Sequence, residues 1–143
     1  KTMDVSDAVV RANSKCLSSD VNAAFDPNFP EPMERNNCCY INNGVVITKY
    51  TGARGKSGSN DASAEFCGYV RKILDEAGVI WQTGELGKVD AGGGGTVAKY
   101  IASKNIDVID LGVPVLSMHS PYEVVSKTDV YMTHKAIKAF FEA

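Results

Sequence analysis

The stretch Asp107-Val108-Ile109-Asp110-Leu111-Gly112-Val113-Pro114-Val115-Leu116-Ser117-Met118-His119-Ser120-Pro121 decides how the rest of the chain is read. An apolar, β-branched run stops at Gly112 and Pro114, and a second short apolar run follows. His119 stands where that run ends, before Ser120 and Pro121 turn the chain. The spacing predicts a pair of buried strands with a histidine at a strand end. In open α/β sheets the loops beyond strand tips form the crevice that holds ligands and catalytic groups. A lone strand-end histidine is equally a structural or surface residue.

Working outward, Met3 to Cys16 carries Val5, Ala8, Val9 and Ala12 at the spacing of one helix face. Leu17 to Ala24 reads as a short strand running into a loop. Asp26 to Asn43 holds three prolines and five asparagines and is irregular, and loops of that length are more often functional than idle. Val45 to Tyr50 is a strand, and a flexible segment from Thr51 to Ser59 follows with the cations Arg54 and Lys56. A helix capped at Asn60 or Asp61 places Ala62, Phe66, Tyr69, Val70, Ile73, Leu74 and Ala77 on one face, and Gly78 closes it. Val79 to Thr83 is the next strand. A loop from Gly84 to Gly95 leads to a short helix, Thr96 to Ser103. The last helix, Val125 to Glu142, sets Val130, His134, Ile137 and Phe141 in phase, which makes His134 a core or half-buried residue. Strands alternating with helices define an α/β fold, a largely parallel sheet flanked by helices, with no boundary dividing residues 1–143.

Length and composition narrow the function. The 143 residues are 44% hydrophobic and 22% charged, the values of one globular domain, and the net charge of −2 supplies no basic patch for nucleic acid or an anionic membrane. Neither a secretory signal nor an apolar run of membrane-spanning length occurs. Cys16, Cys38, Cys39 and Cys67 form no C-x-x-C pair, and reduced thiols in a cytoplasmic protein are the expected state.

Several residues invite chemistry. The run Asp90-Ala91-Gly92-Gly93-Gly94-Gly95-Thr96 could hold an anion on free backbone N–H groups, yet it matches neither the Walker A spacing nor the dinucleotide fingerprint. A flexible turn, or a backbone lining for a substrate that is not a phosphate, fits equally. Asp20 ends an apolar strand, where an aspartate is a turn former or a metal ligand. No structural-zinc spacing and no Gly-x-Ser-x-Gly elbow is present.

Four blocks in order carry a resemblance: Leu17-Ser-Ser-Asp20-Val-Asn-Ala-Ala-Phe-Asp-Pro-Asn-Phe29, Gly55-Lys-Ser-Gly-Ser-Asn-Asp61, Glu85-Leu-Gly-Lys-Val-Asp-Ala-Gly-Gly-Gly-Gly-Thr96, and the opening stretch. Together they resemble the C-terminal part of the aminopeptidase I / aspartyl aminopeptidase family, over nearly the whole chain from Leu17 to Phe141. The resemblance implies a zinc-exopeptidase α/β sandwich with two zinc ions that cleaves the N-terminal bond of peptides bearing a free N-terminus. Its metal ligands fall on Asp20 and His119, one for each ion. Gly95, with Gly94, would line the substrate pocket beside the metals. Lys56, a cation in a glycine-rich loop, reads as pocket rim or as a solvated loop lysine. Carboxylate oxygen and neutral imidazole suit Zn²⁺.

Two departures accompany the resemblance. The remaining ligands and the general base of the family precede the Leu17 block, and nothing in Lys1 to Cys16 replaces them. The chain, which opens on Lys1, is therefore expected to be a portion of a longer catalytic domain and inactive alone, with a non-catalytic remnant or binding module of the same fold as the alternative. Members that prefer acidic N-terminal residues carry a His and a Lys where this chain has Ala23 and Thr48, so a neutral or broad preference is expected, with Lys49 and Lys56 leaving the point open. The family's dodecameric shells imply a homo-oligomer.

Overall fold

The structure, a computed structural model, describes residues 5–53, 57–88, 91 and 93–143. In chain order its elements are α1 (Asp7–Ala12), β1 (Lys15–Ala23), β2 (Val45–Thr48), β3 (Tyr50–Ala53), β4 (Ser57–Asp61), α2 (Ala64–Glu76), β5 (Trp81–Thr83), α3 (Ala98–Ala102), β6 (Asp107–Leu116), β7 (Val124–Val125) and α4 (Lys127–Glu142). One sheet runs β1-β6-β2-β5, with β7 beside β6, and β3 and β4 form a separate hairpin. The sheet is mixed but mostly parallel: β1 pairs with β6 in parallel over nine positions and β2 with β5 over three, while the antiparallel β2–β6 and β6–β7 ladders are short. The α/β architecture expected from the alternation of elements is the one observed.

β6 is the spine. It runs unbroken through Gly112 and Pro114, where the sequence predicts two short strands. Proline is tolerated because Pro114 falls in the gap between the β2 ladder, which ends at Gly112, and the β7 ladder, which starts at Val115. Alternation along the strands then sorts the two faces of the sheet. Val45, Ile47, Ile109 and Leu111 face Phe66, Val70 and Leu74 of α2 and Ala136 of α4, forming the main core with Leu17 packed against it. Gly78 closes α2 at φ +62, as its position predicts.

Several boundaries differ from the sequence reading. Ser63, not Asn60 or Asp61, caps α2, its hydroxyl accepting the Phe66 N–H at 3.1 Å, because Ser57–Asp61 is occupied as strand β4. Residues 51–53 and 57–59 lie in the hairpin, where the missing side chain of Gly52 leaves room for Tyr50 and Ser59. The first helix is only Asp7–Ala12 and buries no side chain, since Lys15 and Cys16 belong to β1. In α4 the buried positions are Asp129, Thr133 and Ala136, so Val130 and Phe141 point outward and His134 is exposed, not a core histidine. The apolar pattern misplaces the face by one residue because two of its three buried positions, Asp129 and Thr133, are polar. Asp129 sits there because Oδ2 accepts the Asn42 N–H at 2.6 Å and Oδ1 the Gly44 N–H at 2.8 Å.

Among the described residues no helix is long and apolar enough to cross a membrane.

Candidate metal and substrate site

The second face of the sheet is polar where the first is apolar. Ser18, Asp20 and Asn22 alternate along β1, and Ser18 and Asp20 lie opposite Asp110 and Gly112 of β6. These residues border a cavity of about 660 Å³ that is also lined by Gly93, Gly94, Gly95 and His119. Asp20 lies within β1, not at its end as the sequence suggests, since the ladder continues through Ala23; parallel pairing of β1 with β6 brings it to the same cavity as the turn beyond β6.

Asp20 is exposed at the cavity, and its Oδ1 accepts the Val21 N–H at 2.8 Å. His119 is exposed in the turn after β6 and adopts φ +66, with Ser117 at φ +58. Two non-glycine residues in the left-handed region within one turn are strained, and such backbone concentrates where a side chain must be aimed. Glu123 holds the turn: its Oε1 accepts the His119 N–H at 2.6 Å. The Ser120 hydroxyl accepts the Tyr122 N–H at 3.1 Å and donates to the Tyr122 carbonyl at 2.8 Å. Glu123 escapes sequence reasoning because it acts on the backbone of His119 and not on its ring.

The glycine-rich segment lies against the β3–β4 hairpin. A side chain at Gly93, whose φ is +84, would come within 2.7 Å of the Gly52 and Leu86 carbonyl oxygens, and one at Gly95 within 3.1 Å of the Gly58 carbonyl oxygen. A side chain at Gly94 meets nothing within 4 Å. Gly93 and Gly95 therefore serve close backbone packing as well as the cavity, whereas Gly94 simply faces space. Lys56, Arg54, Asp90 and Gly92 lie outside the described residues.

Asp110 is a site residue that the apolar character of β6 conceals. It is 7% exposed, and its Oδ2 accepts the Thr96 hydroxyl at 3.0 Å. Burial raises its pKa and Asp20 adds to this, while the Ser18, Thr96 and Thr51 hydroxyls pull it down. Ser18 Oγ and Asp110 Oδ1 are both buried; the Ser18 hydroxyl acts on the carboxyl electrostatically, but neither atom completes a hydrogen bond of good geometry among the described residues.

The positions that bear on charge preference are neutral. Thr48 is buried and accepts a hydrogen bond from the Asn22 amide. The Cys39 thiol lies against the Asn22 Oδ1 at 3.7 Å, and burial pushes its pKa up to about 12, so it stays protonated. Lys49 is paired with Asp61. Among the described residues no three His, Cys, Asp or Glu side chains gather as a group able to hold a metal. Asp20 and His119 are thus a partial donor set, hard oxygen and imidazole nitrogen of the types zinc accepts, brought to one cavity from β1 and from the turn after β6.

An α/β sheet with an aspartate on β1 and a histidine after β6 at one cavity is accompanied by a family match: the chain belongs to the aminopeptidase I zinc metalloprotease family, M18, which it matches over residues 1–141. It is 55% identical over 128 residues to the "Probable M18 family aminopeptidase 1" of Clostridium acetobutylicum, covering 90% of this chain and 28% of that protein. The corresponding protein of Thermotoga maritima is 49% identical over 133 residues, 93% of this chain and 30% of the relative. The crystal structure of the Clostridium acetobutylicum aminopeptidase I superposes with a TM-score of 0.86 at 54% identity, over 90% of this chain and 28% of that one. The mApe1 dodecamer of Saccharomyces cerevisiae matches with a TM-score of 0.78 at 26% identity, over 99% of this chain and 30% of that one. The chain therefore spans somewhat over a quarter of the length of these relatives.

Proposed function

We propose that this chain forms part of the active site of a metal-dependent aminopeptidase that hydrolyses the N-terminal peptide bond, with Asp20 and His119 each contributing a ligand to one of two zinc ions. The observation that carries the reading is their convergence on one cavity, Asp20 from β1 and His119 from the turn after β6. When bound there, zinc supplies Lewis acidity that polarises a carbonyl and lowers the pKa of a water toward neutrality.

The chain's own residues do the positioning. Glu123 fixes the backbone that presents the imidazole of His119, and the Val21 N–H orients the carboxylate of Asp20. Gly94 and Gly95 offer main chain to a peptide lying in the cavity, and Lys56, outside the described residues, is assigned to its rim from the sequence alone. Tight catalytic zinc sites take three protein ligands, so the further ligands and the general base come from residues outside this chain, and the chain alone is inactive. Asn22, Ala23 and Thr48 line the cavity with uncharged side chains beside Asp20, and this local neutrality favours uncharged N-terminal residues over acidic ones. A homo-oligomer in the cytoplasm completes the proposal, with the dodecamer of the yeast relative as its precedent.

The test is a comparison of kcat/KM for N-terminal Leu and Asp amide substrates by the complete protein, before and after chelation. Activity lost on chelation, restored by zinc, and higher for Leu supports the reading; activity that survives full removal of metal overturns it.

A further inference from the structure

Thr96 closes the glycine-rich segment just ahead of α3, and its hydroxyl is shared. It donates to Asp110 Oδ2 at 3.0 Å and lies 3.3 Å from the Thr51 hydroxyl oxygen. Asp110 is 7% and Thr51 2% exposed, so this chain of contacts runs through the interior. It links the middle of β6, the start of the hairpin and the wall of the cavity.

The segment has little else to hold it. Among the described residues no backbone N–H of 93–96 donates to a main-chain carbonyl, and contact with the hairpin is packing of Gly93 and Gly95 against carbonyl oxygens. A buried carboxylate with one oxygen unpaired is costly, and an apolar residue at 110 would avoid the cost. A group kept at such a place requires a task that its neighbours cannot perform.

We propose that Asp110 is a positioning residue: through Thr96 it fixes the glycine-rich segment 93–95 at the distance from Asp20 that a bound peptide needs. This rests on the aminopeptidase reading for its kinetic consequence but not for its structural one. Asp110 faces the cavity from the strand beside Asp20, so the segment and the ligand-bearing strand are referred to the same side chain. Loss of the link frees the wall without touching Asp20 or His119.

The experiment uses the complete protein with Thr96→Val, Thr96→Ser, Asp110→Asn and Asp110→Ala, measured by kinetics and by amide exchange. Thr96→Val, nearly isosteric and lacking the donor, should raise KM for a leucyl amide about tenfold while kcat stays within about threefold, because a misplaced binding wall costs ground-state and transition-state binding alike. Thr96→Ser should restore KM, and Asp110→Asn, whose amide oxygen still accepts from Thr96, should remain near the parent in both constants. The amides of 93–96 should exchange about tenfold faster in Thr96→Val and Asp110→Ala than in the parent. Unchanged exchange in Thr96→Val overturns the proposal, as does loss of kcat at constant KM in Asp110→Asn, which would place the charge in the reaction itself. A parent protein without peptidase activity would defeat the functional reading, and the exchange result would still decide the link.

Discussion

Gly112 stands directly across the β1–β6 ladder from Asp20, and a side chain at 112 would come within 2.4 Å of the Asp20 carbonyl oxygen. The backbone that carries the proposed ligand already occupies that space. Gly112→Ala must therefore displace β1 at Asp20, since the opposing atom is main chain and cannot rotate away. We expect zinc affinity of the complete protein to fall by about tenfold or more, in line with the loss produced by disturbing the residues that orient a metal ligand. Gly94→Ala, where the added carbon meets nothing within 4 Å, should leave affinity unchanged. Competition titration with a zinc chelator compares the two.

Asp129 supports the loop before β2 from inside α4. Asp129→Asn keeps the shape but leaves a single acceptor for the N–H groups of exposed Asn42 and buried Gly44, and sets its amide NH2 against the other donor inside the buried face of α4. The expected cost is about 1–3 kcal/mol, the penalty of a buried unsatisfied donor, read from urea unfolding monitored at Trp81.

Glu85 gives a pH signature. Burial, reinforced by Asp61 and opposed by Lys49, pushes its pKa up from 4.5 to about 7. The folded form thus holds its proton more tightly than the unfolded chain, so stability is full below about pH 4.5 and declines as pH rises through about 7. Glu85→Gln cannot lose a proton and should gain stability relative to the parent as pH rises from 5 to 8. Thermal melts of both proteins across that range measure it; a difference that is flat with pH contradicts the shift.

How much of this was legible in the sequence follows from what each residue does. The α/β alternation and the parallel pairing leave local marks in apolar runs, and the proposed pair Asp20 and His119 is marked by motif blocks, although Asp20 lies within β1 and not at its end, because the ladder with β6 continues through Ala23. The phase of α4 and the site residue Asp110 leave none, because both depend on a carboxylate buried among apolar neighbours, which hydrophobic periodicity counts as outward-facing. Asp129 is satisfied by two N–H groups more than eighty positions away, and one oxygen of Asp110 is paired with Thr96 in the loop before α3. Glu123 is similar in kind, since a side chain that holds another residue's backbone has no pattern of its own. The continuity of β6 past Pro114 likewise depends on where its neighbouring ladders stop.

The central claim is that Asp20 and His119 each hold a separate zinc ion. Elemental analysis of the purified complete protein, together with kcat/KM for a leucyl amide, tests it in the parent, Asp20→Asn and His119→Ala. The account predicts two zinc ions per parent subunit, about one in each variant, and activity reduced by about a hundredfold or more in both, since either ion alone cannot both activate water and hold the substrate. Full zinc content with near-parent activity in either variant would contradict it.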